Sequence, residues 1–202
     1  MTKKLLFALT ALIWLGCQPI MRKMYGIKNP DVENEKSIIR TALRYKLDTT
    51  HLVTVSGKDF LDVLDGQSIP DGAIYDRNGK FIEYKATDSS CNAGLFGFIP
   101  ALNLTDQYRQ PERPSLQMEL AKYRDLKGNP IQLTEEADFY LLIYWTVWTG
   151  RLNKDHVKVW EDLAKRNTKC KIKVIKVNLD LQSYWEEKER ESIIEAIRKK
   201  GK

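Results

Sequence analysis

The sequence is poor in the residues that carry metal and redox chemistry. Its 202 residues hold three cysteines, Cys17, Cys91 and Cys170, and two histidines, His51 and His156. No two cysteines stand in CxxC or zinc-like spacing, so the sequence offers no dithiol motif and no structural zinc site. The histidines lie far apart in the chain, which leaves a His-based metal site without support; no cofactor motif is present either. The net charge of +6 is small for the length, and the signs alternate, as in "EEKERESIIEAIRKKGK". This is the pattern of a solvated mixed surface, not of a nucleic-acid face. The basic residues 198–202 close the last helical pattern, where the helix dipole favours positive charge without any ligand. Internal repeats and low-complexity tracts are absent.

What is there begins with "MTKKLLFALTALIWLGC". A basic start leads into an apolar run from Leu5 to Leu15 and then to Gly16-Cys17. The run is too short to span a bilayer comfortably and reads as a signal peptide. It resembles a bacterial, Bacteroidetes-like, lipoprotein signal, in which a small residue precedes a Cys that is acylated and becomes the mature N-terminus. Trp14 and Leu15 depart from the usual pair before the small residue. The resemblance implies residues 1–16 as a removed leader and Cys17 as the lipid attachment site. Two acyl chains suffice for stable anchoring. The residues after Cys17, "QPIMRK", carry no Asp. By the sorting rules of such lipoproteins this implies an outer-membrane anchor facing the periplasm. "DTT", residues 48–50, is similar to a glycosylation acceptor of such envelope proteins and is equally an ordinary surface turn.

The rest of the chain has an ordinary globular balance, with 43% hydrophobic and 30% charged residues, enough for one medium domain with a core. Residues 17–33 read as a tether ending in a turn at Asn29-Pro30. Residues 34–202 read as one domain: an N-terminal half, 34–103, a linker, 104–125, and a C-terminal half, 126–202. In the first half, Ile38, Ile39, Ala42 and Leu43 share a helical face. "HLVTV" is a strand and "KDFLDVLDG" a short helix. "GAIYDRNGKFIEY" is a hairpin with a two-residue turn at Asn78-Gly79. "CNAGLFGFIPALN" reads as a helix that Pro100 kinks or ends. "SLQMELAKY" predicts a helix within an otherwise polar stretch. In the second half, "FYLLIYW" is apolar throughout, as in a strand covered on both faces. A helix with Val157, Trp160, Leu163 and Ala164 inward follows. "KIKVIKVNLD" alternates apolar residues with lysines, the pattern of a half-exposed strand, and a last helix closes the chain.

The stretch "DLKGNPIQLTEEADFYLLIYWTVWTGRL" resembles the thioredoxin superfamily in its membrane-anchored TlpA-type branch. Leu126, Gly128, Ile131 and Leu133 match the hairpin that precedes the central strand there. Tyr144, Trp145 and Trp148 match the strand end, and "IKVNLD" matches the next strand, which often closes on Asp. In the family, a Cys-x-x-Cys follows the second Trp; here Thr149, Gly150, Arg151 and Leu152 occupy those four positions. A threonine hydroxyl is far less acidic than an activated thiol and forms no disulfide, and leucine resolves none. The degenerate corner therefore does no thiol–disulfide exchange. "IPDGAIYDRNGKFI", residues 69–82, resembles the family's later cis-proline strand and hairpin, with Pro70 at the proline position. It comes before the central strand instead of after it. The resemblance implies an α/β fold, a thioredoxin-like mixed sheet flanked by helices, with the strand order permuted unless the hairpin is a generic one.

Functionally, the resemblance implies a redox-inactive binding or accessory subunit of a periplasmic or outer-membrane complex. It would have protein partners in the envelope and the membrane as partner through its lipid. The helix start would offer free N–H groups, Trp148 an apolar contact and Arg151 a positive charge. Alternatively the corner is packed inward and binds nothing. Cys91 and Cys170 remain open as a disulfide pair or, in the other reading, as the thiol of an oxidoreductase. Trp145 and Trp160 are expected in the core, and of the four tryptophans Trp148 and Trp185 are the better candidates for exposure.

Overall fold

The computed structural model of the chain describes residues 22–65, 67–85, 92–133 and 135–200. The leader, Cys17 and Cys91 lie outside the described residues. The elements are β1 (Val32–Glu33), α1 (Glu35–Arg44), β2 (Leu52–Val55), α2 (Gly57–Leu64), β3 (Asp71–Asp76), β4 (Phe81–Ile82), α3 (Gly94–Ala101), α4 (Leu116–Lys122), β5 (Tyr123–Arg124), β6 (Phe139–Trp145), a π-helical turn (Asn153–Lys158) running into α5 (Val159–Arg166), β7 (Ile172–Asn178), β8 (Leu181–Gln182) and α6 (Glu187–Lys200).

Six strands form a mixed sheet in the order β4-β3-β6-β7-β2-β5, and β1 and β8 form a separate two-stranded pair. β6 and β7 run parallel from Phe139↔Ile172 to Trp145↔Asn178, and β2 lies parallel on the far side of β7. The β3–β4 hairpin joins the other edge of β6. It pairs antiparallel over six positions, from Asp71↔Tyr144 to Asp76↔Phe139. The upstream hairpin and the downstream strands thus build one sheet, with the hairpin coming first in the chain. Helices cover both faces. Ile38 and Ala42 of α1, Leu95 and Ile99 of α3, and Trp160 and Ala164 of α5 pack on one. Phe60 and Val63 of α2, Leu116 of α4, Ile193 of α6 and Trp185 pack on the other. This is why β6 is apolar at every position: Leu141, Leu142 and Ile143 all have zero exposure.

Local chemistry explains several boundaries. Asn34 opens α1 with a capping box: its Oδ1 accepts from Ser37 N at 3.1 Å, and Ser37 Oγ accepts from Asn34 N at 2.9 Å. Ser115 caps α4 through its Oγ alone, which accepts from Met118 N. α3 runs through Pro100 and ends one residue later, at Ala101.

Five expectations need correction. The hairpin turn is not the two-residue type. Asp76 N donates to Lys80 O and Gly79 N to Asp76 O, so three residues, Arg77, Asn78 and Gly79, make the connection. Only Gly79 takes positive φ, +75°, the Gly position of a type I turn with a bulge. The inward face of α1 is rotated, with Thr41 beside Ile38 and Ala42, and Leu43 exposed. β7 is a central strand, not a half-exposed one. Lys173 and Lys176 are buried, with Glu135 at 2.8 Å and Glu161 at 3.2 Å supplying their countercharges. Residues 104–125 hold, besides the expected helix α4, the edge strand β5 on β2, so they are not only a linker. Trp185 is buried, with its ring edge-on to Phe60 at 4.9 Å and its Nε1 donating to Val55 O.

Candidate binding corner at the end of strand β6

β6 ends at Trp145, and the chain turns sharply over residues 146–152 into the π-helical turn. Two neighbours fix the turn. Trp145 O accepts from Leu179 N at 2.9 Å, and Val147 N donates to Asp180 Oδ2 at 2.7 Å. Inside it, Thr146 O accepts from Thr149 Oγ1 and Asn153 Nδ2, each at 2.8 Å. Thr149, the first of the four residues matched to Cys-x-x-Cys in the sequence resemblance, is 1% exposed, and its hydroxyl is spent on this network. Leu152, at the fourth, is half-buried; Trp148 is half-buried, and Arg151 is exposed. A buried threonine with its proton committed to a carbonyl has no nucleophilic chemistry at neutral pH.

The expected free N–H groups are not free. Gly150 N, Leu152 N and Asn153 N bond back to Val147 O, Thr149 O and Gly150 O. Arg151 N donates to Tyr25 O at 2.7 Å, and Lys28 N donates to Trp148 O at 2.9 Å. The segment read as a tether therefore lies against the corner. Gly150, at φ +61°, makes room for it: a Cβ there would stand 2.6 Å from Gly26 O and closer still to Tyr25 O. Nothing in the sequence pattern flags this contact, because it depends on the path of residues 22–31 across the surface.

Pro70 is placed beside the corner. The Ile69-Pro70 peptide is cis, and Asp71 pairs with Tyr144, so the register continues to Pro70 opposite Trp145. Ile69 and Trp148 line a common groove of about 500 Å³, walled by Phe60, Leu64, Leu181 and Ile194 and fringed by Asp31 and Arg198. Asp180 also lines this groove. It is 2% exposed, and its Oδ2 accepts from Val147 N and from Asn178 Nδ2 at 2.7 Å, while Oδ1 is buried without a partner. Burial pushes its carboxyl up to about 7, against the hydrogen bonds from Val147 and Asn178 that favour the charged form. The sequence pattern places Asp180 at a strand end but gives no sign of its burial.

The remaining candidates lie elsewhere. Cys170 precedes β7 at the Phe139↔Ile172 end of the parallel pair, one strand length, about 20 Å, from Trp148. Its Sγ donates to Leu102 O at 3.4 Å, and burial pushes the thiol up, the reverse of activation. Its partner in the expected pair, Cys91, lies outside the described residues. Residues 48–50 form an ordinary turn: Thr50 N and Oγ1 both donate to Asp48 Oδ1 at 2.8 Å. A larger polar cleft of about 560 Å³ opens at the other end of the sheet, around Asp76, Tyr108 and Asp138. Two of its carboxylates are already engaged, Asp138 by Arg77 and Asp76 by Gln110. Among the described residues no cluster of His, Cys, Asp and Glu is arranged to hold a metal ion, and no helix is long and apolar enough to cross a membrane. Compared with family models, with curated proteins and with solved structures, the chain finds no match.

Proposed function

We propose that this chain is a redox-inactive, thioredoxin-like binding subunit of a bacterial envelope complex. In this reading it is assembled in permuted strand order and held to the membrane by lipid on Cys17, with its domain in the periplasm. The fold part of the reading is supported by the arrangement around β6. A parallel neighbour, β7, is reached through a helix, an antiparallel hairpin adds on the other side, and Pro70 stands at the hairpin's entry beside the β6 turn. The observation that carries the functional part is the groove between Ile69 and Trp148. It lies beside a corner whose two cysteine positions hold a buried Thr149 and a half-buried Leu152. The scaffold keeps a concave apolar surface with a few polar groups, the character of binding sites generally, without a reactive group.

The test is partner recovery from membranes. Tagged wild-type protein is purified beside a variant carrying Trp148→Ala and Arg151→Glu, and what accompanies each is identified by mass spectrometry. A protein that accompanies the wild type and is lost from the variant, at unchanged melting temperature, supports the reading. Equal recovery with both removes the corner from any binding role.

A further inference from the structure

The segment of residues 22–31 makes two hydrogen bonds to the corner, and both use groups that an extended peptide would seek. Tyr25 O accepts from Arg151 N, and Lys28 N donates to Trp148 O. Between them the chain passes over Gly150 through Gly26, itself at φ +64°. Among the described residues little else fastens the segment. Of its ten residues only Tyr25 and Ile27 are even half-buried. Its internal bonds are local: Ile27 N to Arg22 O at 2.8 Å and Arg22 Nη2 to Asn29 Oδ1 at 2.8 Å. Downstream it is tied by the two-residue β1–β8 pairing and by Ser183 N donating to Glu33 O. A segment with few buried apolar contacts and exposed hydrogen bonds sits at the low-stability end of a fold and opens without the core.

We infer that residues 22–31 are an intramolecular strap: they occupy in cis a peptide-binding edge formed by Trp148, Gly150 and Arg151, and closing or opening the strap sets whether that edge is available. A tethered segment competes at an effective concentration of about millimolar order, so an external peptide sees the edge only in the fraction of molecules whose strap is open. Gly150 is the sequence requirement of the edge, since a side chain there would collide with the backbone of whatever lies across it. The binding role proposed for this corner enters only in naming the edge a peptide site. The strap itself is tested with no cellular partner, so its failure and the lack of a partner are separate results.

The experiment uses the full mature chain and two variants. Gly26→Val acts in the strap alone: an added Cβ meets nothing within 4 Å, but the left-handed backbone resists a β-branched side chain. Gly150→Ala acts on the edge. Hydrogen exchange follows the amides of Lys28 and Arg151 against those of β6, and fluorescence anisotropy follows binding of a labelled peptide of residues 22–31. In the wild type, the Lys28 and Arg151 amides exchange about 100-fold or more faster than β6, as sub-global opening requires. Gly26→Val speeds them about tenfold further, the ratio for 1.4 kcal/mol, leaves β6 unchanged and binds the peptide at least about tenfold tighter than wild type. Gly150→Ala also releases the strap yet does not bind the peptide. If it fails to fold, Gly26→Val decides alone. Exchange of Lys28 and Arg151 at the β6 rate in the wild type overturns the strap. Peptide binding by Gly26→Val no tighter than wild type, or by a folded Gly150→Ala equal to it, overturns the peptide edge.

Discussion

Replacing Asp180 by Asn is expected to stabilise the protein at alkaline pH and to lose that benefit in acid. Asp180 is 2% exposed, with one oxygen bonded to Val147 N and Asn178 Nδ2 and the other buried without a partner. Desolvation raises its folded-state pKa from 3.8 to about 7. The native state therefore holds this proton where the unfolded chain has released it. The slope of stability against pH depends on protons bound by the unfolded minus the native state, which is negative here. Stability from this group is present below pH 4, falls as pH rises, and is gone above about 7. At 1.36 kcal/mol per pH unit, the interval from 3.8 to about 7 sets a ceiling of about 4 kcal/mol. An asparagine keeps the acceptor for Val147 N and carries no charge to desolvate. Urea unfolding of both proteins, from pH 4.5 to 8.5, isolates the effect because other carboxylates cancel in the difference. The stability of the Asn variant relative to wild type should rise by about 2–4 kcal/mol across that range, about 5–15 °C in melting temperature. A flat difference curve would refute the buried, unpaired carboxylate beside the groove.

Glu161, at zero exposure, accepts from Asp48 N and faces the buried Lys176 at 3.2 Å. Glu161→Ala strands that lysine and should cost about 3–5 kcal/mol in urea unfolding, and a loss below about 1 would contradict the pair's burial. A fragment of residues 105–202 lacks β3, which pairs with β6 over six positions, and β2, which covers the other side of β7. It should show no sharp thermal transition; a sharp one matching the whole protein would refute the shared sheet. Thr149→Cys with Leu152→Cys restores the dithiol spacing. Under mild oxidation the pair should become resistant to alkylation, and the variant should reduce insulin slowly where the wild type is expected not to. Failure to close would mean that the corner does not have the geometry of a Cys-x-x-Cys turn.

The sequence pattern was legible where one physical term dominates. The unbroken apolar run of β6 was readable because burial on both faces leaves no polar position, and the helix after it because its apolar residues recur at helical spacing. The hairpin was readable from its alternation and Gly79, although its turn is a residue longer because only the glycine, not Asn78, adopts positive φ. The lysines of β7 misled for the opposite reason. Their countercharges, Glu135 and Glu161, come from other parts of the chain, so alternation alone could not separate a buried charge pair from a solvated edge. β5, two residues long, carries too little pattern to be read at all. At the corner, the lack of thiols was plain from Thr149 and Leu152. The burial of Asp180 and the bonds from Tyr25 and Lys28 were not, since both arise from tertiary packing between distant segments.

The most direct measurement of the binding role is site-specific photocrosslinking in intact cells. A benzoylphenylalanine takes the place of Trp148 in one protein and of Leu43, 61% exposed on α1, in a control. A binding corner predicts a discrete crosslinked product with one envelope protein from position 148, absent from position 43. No product from position 148, or the same products from both positions, would contradict it.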